Sequence, residues 1–180
     1  QMVLSLLKYS ARSAGSPEVR EALDDLAGRV AVVLHNRIGL QTASGNDLEA
    51  ALSAVVRTLA SLAEPLGISI SLEVEGKAEL HGKKTLAIAL CVNELVTNAI
   101  KHAFVKKPIP GGLVRVGVSL RPDEHLTVIV DDDGLPIQRS PAESDGGQHQ
   151  GLDLVSRLVV AHDGLMIWPE GQSKKFEMRF

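Results

Sequence analysis

Asn93-Glu94-Leu95-Val96-Thr97-Asn98-Ala99-Ile100-Lys101-His102-Ala103-Phe104 decides the fold of this chain. The run sets a carboxylate, a carboxamide and an amine along one stripe of an otherwise apolar helix. Glu94, Asn98 and Lys101 are spaced i, i+4 and i+7, so at about 100° per residue their directions fall within roughly 60° of one another. Val92, Leu95, Val96, Ala99, Ile100 and Ala103 take the opposite side. The helix therefore has one wall for a core and one for something polar. Standing alone, such a stripe is an ordinary solvated face; what lies downstream changes that.

Two further stretches point the same way. Leu126 to Val130 reads as a strand that runs into Asp131-Asp132-Asp133-Gly134. It places a carboxylate at a strand end, where a pocket can form, and a glycine where backbone must come close to something. By itself Asp-Gly after a strand is a turn. Gly146-Gly147-Gln148-His149-Gln150-Gly151-Leu152 is a polar, glycine-rich stretch that opens a helix running to about Ala161. The free N–H groups at such a helix start favour an anion.

Around these lies an α+β pattern. Residues 1 to about 13 read as helix, stopped by Ala14-Gly15-Ser16-Pro17, with Ser16 as N-cap and Pro17 as the first residue of a second helix. Val19, Leu23, Leu26, Val30, Val33 and Leu34 carry that helix at three- and four-residue steps to about Leu40. So short a turn makes the two helices antiparallel neighbours. A second copy of the hairpin would complete a four-helix bundle, so a homodimer is expected; the alternative is that the pair packs on the rest of the chain. Thr42 to Asn46 is a polar linker, Asp47 caps a helix to about Glu64, and Pro65-Leu66-Gly67 ends it. Ile68 to Val74 alternates with period two, Leu113 to Leu120 and Leu126 to Val130 are strands joined at Pro122-Asp123-Glu124, and Leu165 to Trp168 with Phe176 to Phe180 forms a closing hairpin. The opening helix spans about Lys83 to Phe104. Helices and strands that do not alternate regularly predict a sandwich with helices on one face of a mixed sheet. The domain division follows: 1–45 helical hairpin, 46–180 α/β sandwich.

Composition narrows the function. With 180 residues, 44% of them hydrophobic, the chain can bury a substantial core. A net charge of −3 with scattered basic residues supplies no field for nucleic acid. No apolar run reaches the roughly 18 to 20 residues of a membrane helix, because Arg29, Lys84 and Arg157 interrupt the candidates. Cys91, the one cysteine, is compatible with a reducing cytoplasm and reads as a small buried side chain. His81, His125, His149 and His162 have no metal-ligand spacing. The chain opens on Gln1 already inside an apolar pattern, as a piece of a longer protein would; membrane contact is expected only through regions absent from this chain.

The three motifs, in this order and on these elements, resemble the nucleotide-binding Bergerat-type fold of histidine kinases, gyrase, the Hsp90 chaperone and MutL. The helix run Asn93 to Phe104 is most similar to sensor histidine kinases of the HWE and HisKA_2 type. That resemblance implies ATP and Mg²⁺ as cofactors, with Asn98 holding Mg²⁺ through a neutral hard oxygen and Glu94 orienting the attacking group. Lys101 and His102 would face the phosphates, with Lys101 as a point charge. Asp132 would accept a hydrogen bond from the adenine amino group, Asp131 or Asp133 taking that role if the register shifts by one. Gly134 would allow close approach, Pro136 to Gln150 would form the lid, and Gly151 with Leu152 would present helix N–H groups to the triphosphate. The resemblance also places the phosphoacceptor histidine about two helical turns before Gln1, outside this chain; His35 lies at the far end of the second helix and corresponds to a histidine that does not accept phosphate. Two positions depart from the pattern: Pro136 stands where a second glycine belongs, and Asp153 ends the second glycine motif.

The expected function is a cytoplasmic protein-histidine kinase transmitter that passes phosphate to an aspartate of a response regulator receiver domain. A degenerate member that no longer binds ATP and serves as a dimeric phosphotransfer or scaffold module is the alternative. An anti-sigma-factor kinase shares the nucleotide-binding helix but lacks the N-terminal hairpin.

Overall fold

The structure, a computed structural model, describes residues 9–20, 22–23, 26–30, 47–76, 80, 82–104, 111–120, 125–135 and 150–180. The expected linker at Thr42 to Asn46, His35, His81, the turn at Pro122-Asp123-Glu124, and Pro136 with the stretch to His149 lie outside them.

Residues 9–13 and 17–20 are helical on either side of Ala14, Gly15 and Ser16. Ser16 begins the second stretch as its sequence demands: its Oγ accepts from the Val19 N–H at 3.4 Å and its carbonyl from the Arg20 N–H at 3.1 Å. Residues 26–30 are helical as well. Here Gly28 and Arg29 lie against the polar stripe of the later helix, so at this point the N-terminal region packs on the rest of the chain.

Helix α1 (Leu48–Ala63) starts where Asp47 accepts the Ala50 N–H on its carboxylate at 3.1 Å. Leu48, Leu52, Val55, Val56, Leu59 and Ala63 form its buried face. A 3₁₀ turn (Glu64–Leu66) follows, and Gly67, at φ 71°, reverses the chain into β1 (Ile68–Glu75). Helix α2 (Gly82–Asn98) leads to β2 (Gly112–Leu120) and β3 (Leu126–Asp132). Helix α3 (Gln150–Ala161), β4 (Leu165–Ile167) and β5 (Phe176–Arg179) complete the fold.

The five strands form one mixed sheet in the order β1-β2-β3-β5-β4, with β1 and β2 parallel and the other pairs antiparallel. Register puts one set of side chains on a single face: Ile70 opposite Val114, Val116 opposite Val130, Val118 opposite Val128, and Val128 opposite Met178. These residues share one core with the buried faces of α1, α2 and, through Val155 and Val159, the helix Gln150–Ala161. Each fully buried Val or Leu contributes about 1.5 to 3 kcal/mol, enough for this layer to hold the sheet and helices together. The α+β sandwich with helices on one face is as expected.

Two boundaries differ from the sequence reading. Strand β3 continues through Asp132, where the three aspartates suggest a turn after Val130; Asp131 and Asp132 pair with Arg115 and Val114. The helix read through Phe104 is α-helical only to Asn98, and Ala99–Ala103 form a π-helical turn. Its end is clamped from two sides. The Leu135 N–H donates to the Ala103 carbonyl at 2.9 Å, and the Phe104 ring occupies the space a side chain at Gly112 would need, 2.6 Å from that Cβ position. A wider turn, with i→i+5 bonds, accommodates both anchors.

Candidate functional site

The polar stripe of α2 is not a wet surface. Asn93 and Glu94 are 6% and 7% exposed. An isolated carboxylate this buried would cost several kcal/mol, so it needs a partner. Arg29 provides one: its Nε meets Glu94 Oε1 at 2.9 Å and its Nη2 meets Oε2 at 2.9 Å. This is the side-on, two-bond geometry in which a guanidinium matches a carboxylate best. The Asn93 amide adds a weaker donor at 3.5 Å to Oε1.

Helix α3 brings its N-terminus to the same place. A Cβ at Gly151 would lie 2.8 Å from Glu94 Oε2, 3.6 Å from Asn98 Nδ2 and 3.9 Å from Arg29 Nη2. The first turn of α3, with its outward N–H groups, therefore abuts the carboxylate and carboxamide of α2. Asn98 and Leu152 are half-buried there, and Asp153 is exposed in the first turn of α3, where a carboxylate complements the positive helix end.

The strand-end motif occupies the other end of the π turn. Alternation along β3 sends Val128, Val130 and Asp132 to the helix-covered face, which separates Asp132 from its neighbours. Asp131 stands opposite Arg115 on the other face, and Asp133 is exposed and accepts the Leu113 N–H at 2.7 Å. Asp132 accepts the Gly134 N–H at 2.9 Å. Burial raises the Asp132 pKa above the usual carboxylate value, and the Gly134 N–H opposes that shift. Gly134 is pressed onto the π turn, its Cβ position 2.7 Å from the Ala103 oxygen and 2.6 Å from the Ala103 Cβ.

The structure thus brings Glu94, Asn98 and Gly151 together, and sets Asp132 and Gly134 against the end of the same helix. Lys101, half-buried, and His102, exposed, lie on the π turn between the two groups. Past Asn98 each residue turns by less than the α-helical 100°, so Lys101 falls behind the stripe and His102 moves towards it. Among the described residues no cluster of three His, Cys, Asp or Glu could hold a metal ion, and no helix is long and apolar enough to cross a membrane. Cys91 is buried, as expected; desolvation, with Glu94 adding to it, pushes its thiol up to about 12.

Residues 83–180, more than half of the chain, match the family described as histidine kinase-, DNA gyrase B- and HSP90-like ATPase. The chain belongs to that family. Among curated relatives, this ATPase domain resembles the sensor histidine kinase PdtaS of Mycolicibacterium smegmatis, 31% identical over 168 residues that cover 89% of this chain and 32% of the relative. PdtaS of Mycobacterium tuberculosis is 30% identical over 169 residues, again 89% of this chain and 32% of the relative. The chain therefore spans about a third of the length of these relatives. Its fold is that of the histidine kinase domain of the Erythrobacter litoralis EL346 blue-light activated histidine kinase, with a TM-score of 0.74 at 18% identity over 100% of this chain and 95% of that one. Full-length ShkA in complex with AMPPNP aligns with a TM-score of 0.57 at 22% identity, over 98% of this chain and 42% of that one. The ATPase domain is homologous to those of sensor histidine kinases.

Arg29 was not legible as part of the site, because in sequence it stands only as a charge within a helix, 65 positions from its partner. Asp132, by contrast, could have been separated from Asp131 and Asp133 by extending the period-two count of β3 by two residues.

Proposed function

We propose that the chain is the transmitter region of a sensor histidine kinase of the HWE/HisKA_2 type, with a dimerising hairpin at 1–45 and an ATP-binding domain at 46–180. The observation that carries the reading is the meeting of the α3 N-terminus at Gly151 with Glu94 and Asn98. A helix N-terminus, a carboxamide and a carboxylate meet there, and a phosphoryl-transfer site uses all three.

In this reading Asp132 accepts from the adenine amino group, at the end of a strand that holds its carboxylate on the pocket side. Gly134 keeps that corner free of side chain. Gly151 and Leu152 direct backbone N–H groups at the phosphates, and Lys101 with His102 contributes charge or hydrogen bonds from the π turn. Glu94 orients the attacking imidazole, from a histidine upstream of Gln1, and the phosphoryl group then passes to a receiver-domain aspartate. Asn98 would hold Mg²⁺ through its neutral carboxamide oxygen, a hard ligand of the type this ion prefers. When bound, Mg²⁺ neutralises charge that develops on the phosphoryl oxygens.

Mg-ATP titration tests this directly. Binding at micromolar to millimolar ATP is expected, with loss in Asn98→Ala and in Asp132→Asn while the fold is retained. Absence of binding at millimolar ATP would favour the second reading, a non-ATP-binding phosphotransfer or scaffold module. Pro136 and Asp153, at the two altered glycine motifs, are what supports that alternative.

A further inference from the structure

We infer that the Arg29–Glu94 pair is an autoinhibitory latch, which holds the second N-terminal helical stretch on the ATPase domain and withholds Glu94 from the reaction. The inference rests on Glu94 being the acid that orients the attacking imidazole. To do so, one carboxylate oxygen must offer a lone pair to an N–H at hydrogen-bond distance. In this arrangement the Arg29 guanidinium is bonded to both oxygens. Oε1 takes Arg29 Nε at 2.9 Å and the Asn93 amide at 3.5 Å, while Oε2 takes Arg29 Nη2 at 2.9 Å and lies 2.8 Å from where a Cβ at Gly151 would stand. The Glu94 side chain is 8% exposed, so an incoming imidazole has no approach until the pair separates.

Three features suit a contact that opens and closes. Arg29 is 28% exposed, so its guanidinium can return to water without being stranded in the core. Gly28 lies against Asn93, its Cβ position 3.9 Å from Nδ2, which lets the helical stretch approach α2 at backbone distance. Gly151 leaves room for the paired carboxylate beside α3, since a side chain there would sit 2.8 Å from Oε2. A signal that lifts the N-terminal stretch would thus free the carboxylate.

The test uses full-length protein with its phosphoacceptor histidine. Arg29→Gln should raise the initial rate of histidine phosphorylation at saturating Mg-ATP by at least about fivefold, the lower end of ordinary two-state coupling, with ATP affinity little changed. Arg29→Lys, which keeps the charge but loses the two-pronged geometry, should fall between wild type and Arg29→Gln. Hydrogen exchange should quicken at residues 26–30 and stay constant in β2 and β3, which separates loss of the latch from loss of the fold. A folded Arg29→Gln protein that binds Mg-ATP and phosphorylates no faster than wild type, or more slowly, overturns the latch. If neither wild type nor Arg29→Gln binds Mg-ATP, the nucleotide assignment has failed, and the latch falls with it.

Discussion

Gly134 and Gly151 both leave no room for a side chain, and they differ in what stands in the way. At Gly134 the obstacle is the Ala103 backbone, with its carbonyl carbon 2.9 Å and oxygen 2.7 Å from the Cβ position. At Gly151 it is the tip of the Glu94 side chain at 2.8 Å. Backbone fixed by a π turn and a strand end cannot yield, whereas the end of a glutamate can swing. The Asp132 corner is therefore built into the fold, while the Glu94 corner takes its shape from whatever Glu94 is paired with.

That contrast sets the order of expected effects. Gly134→Ala should be the most damaging, costing about 3 kcal/mol by overpacking and lowering Tm by about 6 to 12 °C in a thermal melt. Asn98→Ala should leave the melt nearly unchanged but weaken Mg-ATP binding at least tenfold, about the value of one hydrogen bond to a charged group. Gly151→Ala should shift stability by less than about 1 kcal/mol, because alanine is the better helix residue and the Glu94 tip can move aside; faster exchange at residues 26–30 would mark the displaced carboxylate. A Tm loss as large as that of Gly134→Ala would erase the distinction between the two corners.

Asp132→Asn should separate function from stability at the rigid corner. Because burial raises the Asp132 pKa, the folded state favours the protonated acid, and this favourable contribution is lost as pH rises through the folded pKa. The asparagine variant should therefore melt at or above the wild-type temperature at neutral pH, while binding ATP less well. The difference in melting should close below the ordinary carboxylate value of 3.8. The smallest effect is expected at Cys91: with its thiol pushed up to about 12, it should resist alkylation in the native protein at neutral pH and react fully once unfolded.

The elements that carry this comparison were unequally legible. The α2 stripe and the alternating strands follow from local periodicity, and Asp47 and Ser16 announce helix starts by their own chemistry. The π turn leaves no trace in the local pattern, because the 3.6-residue period runs on through Ala99 to Ala103, while the winding there depends on Leu135 and Phe104 being anchored by distant strands. Three aspartates in a row imitate a turn, and only pairing with Val114 and Arg115 keeps two of them in β3. Arg29 escaped because pairing between remote charges leaves no periodic trace in a single sequence.

Parallel β1 and β2 cannot be joined by a tight turn, so the connection between them carries α2 itself. The antiparallel pairs β2–β3 and β4–β5 close over short chain separations and are favoured early in folding, whereas β1 can add to the sheet only after the intervening helix is laid across it. Maturation of the sheet edge and assembly of the α2 stripe are thereby one kinetic event. A chain stalled before that step would expose the β2 edge that β1 covers, and would be prone to pair with another chain there.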